Sequence, residues 1–192
     1  VAYVSTPIVE VLGAGFAPSS GTSSSTPSAV VVESSVVSVT SSGGTSTIEL
    51  ASGTEITRSD GENFDVSEVG GATISPDSLS GLGTGVVLAG ALQWGIPDVE
   101  LEFNPPITVS IFVGSAFNGQ TLNILRSTSG ESGWTSDGIG SPATCTVSSG
   151  LCVFTASKAS YYGAGSSSGS SSGGGGGGGG GTTLPLQGKL VE

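Results

Sequence analysis

Residues 144–164 read TCTVSSGLCVFTASKASYYGA, and this stretch decides the fold class. It contains three short runs rich in Thr, Val and aromatic residues: TCTV, LCVFTAS and SYYGA. Ser- and Gly-containing breaks separate them, a pattern typical of β-strands joined by tight turns. The stretch therefore predicts consecutive short strands rather than a helix.

The two cysteines of the chain lie inside this stretch, at Cys145 and Cys152, on either side of a Ser-Ser-Gly turn. Folded as a hairpin, the segment brings the two sulfurs opposite each other, within disulfide reach. Closing so short a loop stabilises the fold by about 2–3 kcal/mol. A zinc site needs more ligands, and the chain contains no histidine. The predicted disulfide indicates a location outside a reducing cytoplasm.

The same β signal continues outward through most of the chain, and helical periodicity is weak. About nine short strands over about 135 residues predict a single all-β domain, a sandwich or a barrel-like fold. Asn104-Pro105-Pro106 is predicted to end one strand and to form a loop between sheets, because proline cannot donate to a strand ladder. The further predicted strands are AVVVESSVVSVT, STIEL, GVVLAGALQW, VELEF, ITVSIFV and LNILRS.

Composition excludes several classes of partner. Four basic residues face fifteen acidic ones, giving a net charge of −11, and charged residues make up 10% of the chain. Such a surface repels phosphate backbones and anionic lipid heads, so neither nucleic acid nor a membrane surface is an expected partner. The sequence contains no transmembrane run and no signal peptide. Ser, Thr and Gly replace charged residues, which suits an extracellular protein, and Val1 is then expected to be a processed end.

Nothing in the sequence indicates an enzyme. Without histidine the commonest general base is missing, and the nucleophile-elbow, phosphate-loop and dinucleotide motifs are absent. We predict no catalytic, cofactor or metal site. One alternative is a carboxylate pair, Glu100 and Glu102, which lie on one face of a strand and resemble a glycosidase or cation site. Alternation with Val99, Leu101 and Phe103 favours a solvated strand face instead.

Two other groups of side chains leave alternatives open. The loop RSDGENFD (58–65) carries hard oxygen ligands of the kind that calcium prefers, although the spacing is not that of an EF-hand and Asp-Gly is an ordinary turn signal. Aromatic residues could form a sugar-binding platform, or they could pack in the core, which is commoner in small β domains. The residues concerned are Asp60, Glu62, Asn63 and Asp65 in the loop, and Trp94, Trp134, Tyr161 and Tyr162 among the aromatics.

Both ends of the chain are strand-like arms on low-complexity linkers. The predicted organisation is an N-terminal strand arm (1–16), a Ser/Thr/Pro linker (17–28), a β-sandwich (29–165), a Ser/Gly tether with nine consecutive glycines (166–181) and a C-terminal strand arm (182–192). In the C-terminal arm, TTLPLQGKLVE, period two places three leucines on one face, with Gly188 between them. The donor-strand residues predicted from this pattern are Leu184, Leu186, Gly188 and Leu190; the second candidate arm contains Tyr3, Ile8 and Val9.

Residues 103–162 also carry a series of motifs in a recognisable order. These are a strand at Pro106–Val113, a Gly-x-x-Leu-x-Ile strand at Gly119–Ile124, a turn at Glu131–Trp134 that corresponds to a Gly-x-Ser-Trp motif, and the cysteine segment Cys145–Phe154. With the preceding IELASGTEIT and ALQWGIPDVELEF, residues 48–162 resemble a ZU5-like, Ig-like β-sandwich module of prokaryotic surface proteins. The resemblance implies a Greek-key extracellular sandwich and no reaction.

We therefore expect a structural subunit of an extracellular filament or pilus-like fibre. A terminal apolar strand on a flexible tether can complete the sheet of the next subunit, and such a head-to-tail contact propagates. The expected partners are copies of the chain itself in a homopolymer. The alternative is a cell-surface adhesion or glycan-binding module, with surface glycans as partners, or an S-layer component.

Overall fold

The protein is an all-β sandwich. The computed structural model describes residues 6–7, 16–18, 25–26, 28–31, 33–41 and 43–167. Within these residues there is no α-helix, and every strand pairing is antiparallel. Short 3-10 helices occupy Val66–Glu68, Pro76–Ser78 and Ser115–Phe117. The predicted fold class is confirmed.

Sheet I contains six strands in the described part of the chain. Its long central strands are rich in Val, Leu, Ile and Tyr, as predicted for GVVLAGALQW and LNILRS. In spatial order the strands are β1 (Thr6–Pro7), β9 (Gly70–Thr73), β10 (Val86–Gly95), β15 (Tyr161–Ser167), β12 (Thr121–Ser127) and β13 (Thr144–Thr146).

Sheet II is built around one long strand, β11 (Leu101–Phe112). On one side β11 pairs with β14 (Leu151–Lys158), and on the other it pairs first with β7 (Glu55–Arg58) and then with β6 (Thr45–Leu50). A separate two-stranded pair joins β3 (Ser25–Thr26) to β8 (Phe64–Asp65). The other strands of sheet II are β2 (Phe16–Pro18), β4 (Ser28–Val31), β5 (Ser35–Thr40), β6 (Thr45–Leu50), β7 (Glu55–Arg58) and β14 (Leu151–Lys158).

The core lies between the two sheets and is formed by the inward-facing residues of their strands, which alternate along each strand with residues on the outer faces. β6 and β12 show the expected period, since their inward residues are buried and most of the intervening ones face solvent. The sheets approach each other closely at Gly90, where a Cβ atom would lie 2.6 Å from the carbonyl oxygen of Phe112. The largest fully buried side chains are Trp94, Tyr162, Ile48, Leu50, Ile56, Leu92, Leu101, Ile107, Ile111, Leu122 and Ile124.

The prediction that Asn104-Pro105-Pro106 forms a loop between sheets is wrong. β11 runs through these residues without a break, and both prolines are exposed on the strand. The register of β11 against β14 shifts between Glu102 and Ile107, which marks a bulge. On the other side, β11 pairs with β7 as far as Asn104, and its pairing with β6 begins at Thr108. The prolines thus lie where the ladder passes from one partner to the next and needs no N–H donor.

Candidate functional site

The disulfide between Cys145 and Cys152 is present, with a Cα–Cα distance of 5.5 Å, and confirms the predicted pairing. Its position differs from a simple hairpin. Cys145 lies on β13 in sheet I, whereas Cys152 lies on β14 in sheet II. Because the chain crosses between sheets at the Ser-Ser-Gly turn, the disulfide ties the two layers of the sandwich together.

A cluster of charged residues, which we call the ion cluster, joins sheet I to sheet II through Arg126 of β12. Its members are Arg126, Lys158, Glu100, Glu102 and Asp137. The Arg126 side chain is 3% exposed, and its Nη2 donates to the Glu100 carboxylate at 2.6 Å. Its Nε donates to the carbonyl of Asp137 and its Nη1 to the carbonyl of Ala159, both at 2.9 Å. All three guanidinium nitrogens are therefore satisfied, which is what allows an arginine to be buried.

Lys158 completes the ion cluster at the surface. Its Nζ lies 3.0 Å from the Asp137 carboxylate, 3.3 Å from that of Glu100 and 3.7 Å from that of Glu102. The predicted carboxylate pair, Glu100 and Glu102, is thus brought together on a common lysine rather than left free. Glu100 is also only 23% exposed, so the expectation of a simple solvated face holds for Glu102 better than for Glu100.

The electrostatics of the ion cluster favour the charged forms of Glu100, Asp137 and Lys158. Partial burial by itself raises the pKa of Glu100, but the hydrogen bond from Arg126 and the charges of Arg126 and Lys158 outweigh it, and the pKa is lowered. The hydrogen bond from Lys158 lowers the pKa of Asp137, and the same contact raises the pKa of Lys158. Charged partners in mutual contact are a structural tie, not an acid–base pair with separated pKa values.

The acidic loop at 58–65 is organised by an arginine. Arg58 donates from Nε and Nη2 to both carboxylate oxygens of Asp60, and Asp60 also accepts from the backbone N–H of Glu62. The hydrogen bond from Arg58 lowers the pKa of Asp60. Within the described residues, no group of three or more acidic or cysteine side chains is arranged to hold a metal ion.

The four candidate aromatic residues do not form an exposed platform. Trp94 and Tyr162 are fully buried, so neither can stack on a sugar ring. Tyr162 packs edge-on against Phe154, and burial raises the pKa of its hydroxyl. Trp134 is half-buried, and its indole N–H donates to the carbonyl of Ser80 at 2.7 Å. The Trp94 indole N–H has no hydrogen-bond partner among the described residues.

The outer face of sheet II carries an open polar cleft of about 450 Å³ beside the two prolines of β11. Hydroxyl, amide, carboxylate and ammonium groups line it, which suits a ligand rich in hydroxyl groups better than an apolar one. The polar residues that line the cleft are Glu55, Thr57, Glu102, Asn104, Ser157 and Lys158.

The edges of the sheets are the remaining candidate surface, because an unpaired edge binds another strand through its backbone. Short segments from the N-terminal region cover two edges: Thr6–Pro7 pairs with β9 of sheet I, and Phe16–Pro18 pairs with β4 of sheet II. The outer side of β14 exchanges backbone hydrogen bonds with the segment around Gly138–Gly140: the N–H of Gly140 donates to the carbonyl of Thr155, and the N–H of Ser157 donates to the carbonyl of Gly138. β13 is three residues long.

β5 differs from these edges. It contains six residues, Ser35–Thr40, and within the described part of the chain it pairs only with β6. The predicted donor residues lie outside the described residues: Leu184, Leu186, Gly188 and Leu190, with Tyr3, Ile8 and Val9 of the second arm.

Sequence reasoning missed both the ion cluster and the open edge. Arg126 gave a usable signal, since it is one of four basic residues and occupies an inward position of the alternating run LNILRS. The open edge gave another, because SVVSVT contains neither a charge nor a proline. Neither signal shows which residues Arg126 contacts or which side of β5 is unpaired until the strand order of the two sheets is known.

These features define a disulfide-tied β-sandwich with a polar cleft on the outer face of sheet II and an edge strand, β5, that pairs on one side only in the described part of the chain. Comparison with known proteins finds no matching family model, no matching curated protein and no matching solved structure. No helix in the described part of the chain has the length and apolar character needed to cross a membrane.

Proposed function

We propose that this chain is a structural subunit that polymerises head-to-tail outside the cell, by non-covalent exchange of a terminal strand. One observation carries the proposal: segments near the N-terminus pair as added strands with the edges of both sheets, Thr6–Pro7 with β9 and Phe16–Pro18 with β4. Backbone pairing between a terminal segment and a sheet edge is the interaction that strand exchange requires. Made between copies, the same pairing generates a fibre.

The extracellular location rests on the disulfide and on the surface composition. A disulfide that joins two sheets persists in an oxidising environment. A chain with 10% charged residues and an abundance of Ser, Thr and Gly fits a secreted surface protein. The resemblance of residues 48–162 to ZU5-like modules of prokaryotic surface proteins agrees with this location, and we retain it as part of the proposal.

The C-terminal arm is our first choice of donor. Burial of Leu184, Leu186 and Leu190 contributes about 5–7 kcal/mol to association. Ordering nine glycines costs about 9–18 kcal/mol of backbone entropy, so the arm gains most if the tether stays loose and the strand docks. The N-terminal arm is the second candidate, and truncation separates the two.

The test is electron microscopy and light scattering of the purified full chain beside two truncations. The full chain is expected to form fibres, and deletion of residues 182–192 or of residues 1–12 is expected to leave soluble monomers. A matched control replaces Gln187 and Lys189, the polar face of the C-terminal arm, with alanine; it should still polymerise. Fibres from both truncations would rule out strand exchange.

A glycan-binding role is the second candidate, and the polar cleft on sheet II is the observation that favours it. Thr57 and Asn104 offer hydrogen-bonding groups to sugar hydroxyls without belonging to the ion cluster. Binding of the monomer on a glycan array, lost in a Thr57→Val, Asn104→Ala double variant and kept in a Trp134→Phe variant, would support this role. Absence of binding by the unmodified chain would remove it.

A further inference from the structure

We infer that the open edge of β5 (Ser35–Thr40) is the acceptor site for residues 182–192 of a second copy of this chain. The inference rests on the proposed strand exchange and names the surface that receives the donor. Within the described residues, β5 and the β9-facing side of Val86–Ala91 on β10 are the two six-residue stretches of edge without a partner strand, and the β10 stretch is interrupted by a bulge between Leu88 and Gly90. The remaining edges are paired with a segment of the same chain or are three residues long.

The backbone of β5 is oriented to accept a strand. Ser41 donates to the carbonyl of Gly44 at 2.9 Å, so this pair is hydrogen-bonded and the bonding alternates along the hairpin from there. Val39 and Val37 accordingly bond to β6. The N–H and C=O groups of Val36, Ser38 and Thr40 point away from β6, toward the open edge.

β5 also lacks the features by which natural proteins protect an edge. Its sequence, SVVSVT, contains no lysine, no other charge and no proline, and its pairing with β6 shows no bulge. Val36 is 56% exposed on the outer face. A regular, uncharged edge with an exposed valine is suited to pairing with another strand.

Sheet I provides a surface against which the inward side chains of a strand added beside β5 can pack. β11 packs on β10 at Gly90, and β5 packs on β9, where a Cβ on Gly71 would lie 2.8 Å from Cγ2 of Val39. The two sheets therefore extend in the same direction, and sheet I has one further strand, β1, beyond β9. A strand added beside β5 fills the matching position in sheet II, with its inward face over β1.

The C-terminal arm has the chemistry that this position requires. Leu184, Leu186 and Leu190 share one face, which would point inward beside Val37 and Val39. The tether of about 14 residues that follows Ser167 reaches at most about 46–50 Å, enough to leave one subunit and meet the edge of the next. The arm is longer than the six residues of β5, so the whole edge can be paired.

The first experiment blocks the edge in the full chain. Ser38→Pro removes an outward N–H while leaving the bonds between β5 and β6, and Val36→Lys places a charge on the edge. Both are expected to remain folded in a thermal melt and to lose fibres in electron microscopy. The matched control is Val153→Lys on β14, where the valine is 51% exposed; it should polymerise as the unmodified chain does.

The second experiment mixes two full-length variants. A donor-deficient chain carries Leu184→Asp, Leu186→Asp and Leu190→Asp, and an acceptor-deficient chain carries Ser38→Pro or Val36→Lys. Each alone is expected to be a monomer by analytical ultracentrifugation, and a mixture should give a one-to-one dimer, since one donor and one acceptor remain.

The outcomes separate this inference from the proposed function. If the β5 variants form fibres while the leucine variant stays monomeric, strand exchange stands and the acceptor lies elsewhere. Fibres from the leucine variant as well contradict the C-terminal donor on which the inference rests. A mixture that stays monomeric overturns the inference. So does hydrogen exchange showing β5 of the dilute full-length monomer protected by its own C-terminal arm.

Discussion

Replacement of Arg126 by methionine tests whether the ion cluster holds the two sheets together. The guanidinium is 3% exposed and makes hydrogen bonds to Glu100, to the carbonyl of Asp137 and to the carbonyl of Ala159. Methionine keeps much of the apolar volume but leaves two carbonyls unpaired and removes the closest cation from Glu100. Breaking a buried pair from one side costs about 3–5 kcal/mol, a large part of the 5–15 kcal/mol that stabilises a typical domain.

The assay is urea unfolding at pH 7, followed by tryptophan fluorescence and circular dichroism. Arg58→Met is the matched control, because Arg58 makes the same kind of ion pair, with Asp60, in an exposed loop. We expect a clear drop in the urea midpoint for Arg126→Met and a much smaller one for Arg58→Met. Equal effects of the two substitutions would refute the view that burial and three satisfied nitrogens make Arg126 a structural tie.

Three other predictions follow from the same structure. Removing the disulfide by Cys145→Ala with Cys152→Ala should lower the free energy of unfolding by about 2.4 kcal/mol for a loop of 7 residues, measured in urea against the oxidised chain; no change would show that the turn itself fixes the crossing. Gly90→Ala should lower the melting temperature sharply through its clash with Phe112, whereas Gly83→Ala, with nothing nearer than 3.9 Å, should not; equal melting temperatures would contradict the close approach of the sheets. The fold lowers the pKa values of Glu100 and Asp137, so the stability that these two carboxylates contribute is present above their unfolded-state pKa and should be lost as pH falls through their folded-state pKa. The fold raises the pKa of Lys158, so the stability that this ammonium contributes should be lost as pH rises through its folded-state pKa. Urea midpoints between pH 2 and 12 check both limbs, and a profile unchanged by Arg126→Met would contradict the assignment of the acid limb to Glu100.

The local sequence predicted most of the central strands because their residue types have high strand propensity. β10, β12 and β14 are rich in β-branched and aromatic residues, and each was predicted within a few residues of its ends. β7 and β9, which read EITR and GGAT, were not singled out. Glycine and charged residues have low strand propensity, so these strands exist through their neighbours rather than through their own composition.

The errors in the sequence-based predictions have a common physical cause: strand and turn propensities describe a segment alone and do not include the strand with which it pairs. Proline has no backbone N–H, so Pro105 and Pro106 end a strand only where the ladder needs a donor at their positions, and in β11 the ladder changes partners at that point. Cys145 and Cys152 were expected to face each other across a hairpin, yet the turn between them carries the chain from one sheet to the other. Trp94 was a candidate for ligand binding until the topology placed it between the sheets.

The scarcity of basic residues connects the fold to the proposed assembly. Lysine on an edge strand is a common defence against unwanted pairing. In the described part of the chain the basic residues are Arg58, Arg126 and Lys158, and all three are in ion pairs on β7, β12 and β14. Short N-terminal segments pair with β9 and β4, whereas in the part of the chain that the structure describes β5 pairs on one side only. This lysine-free side of β5 is the edge to which we propose that a second copy adds a strand.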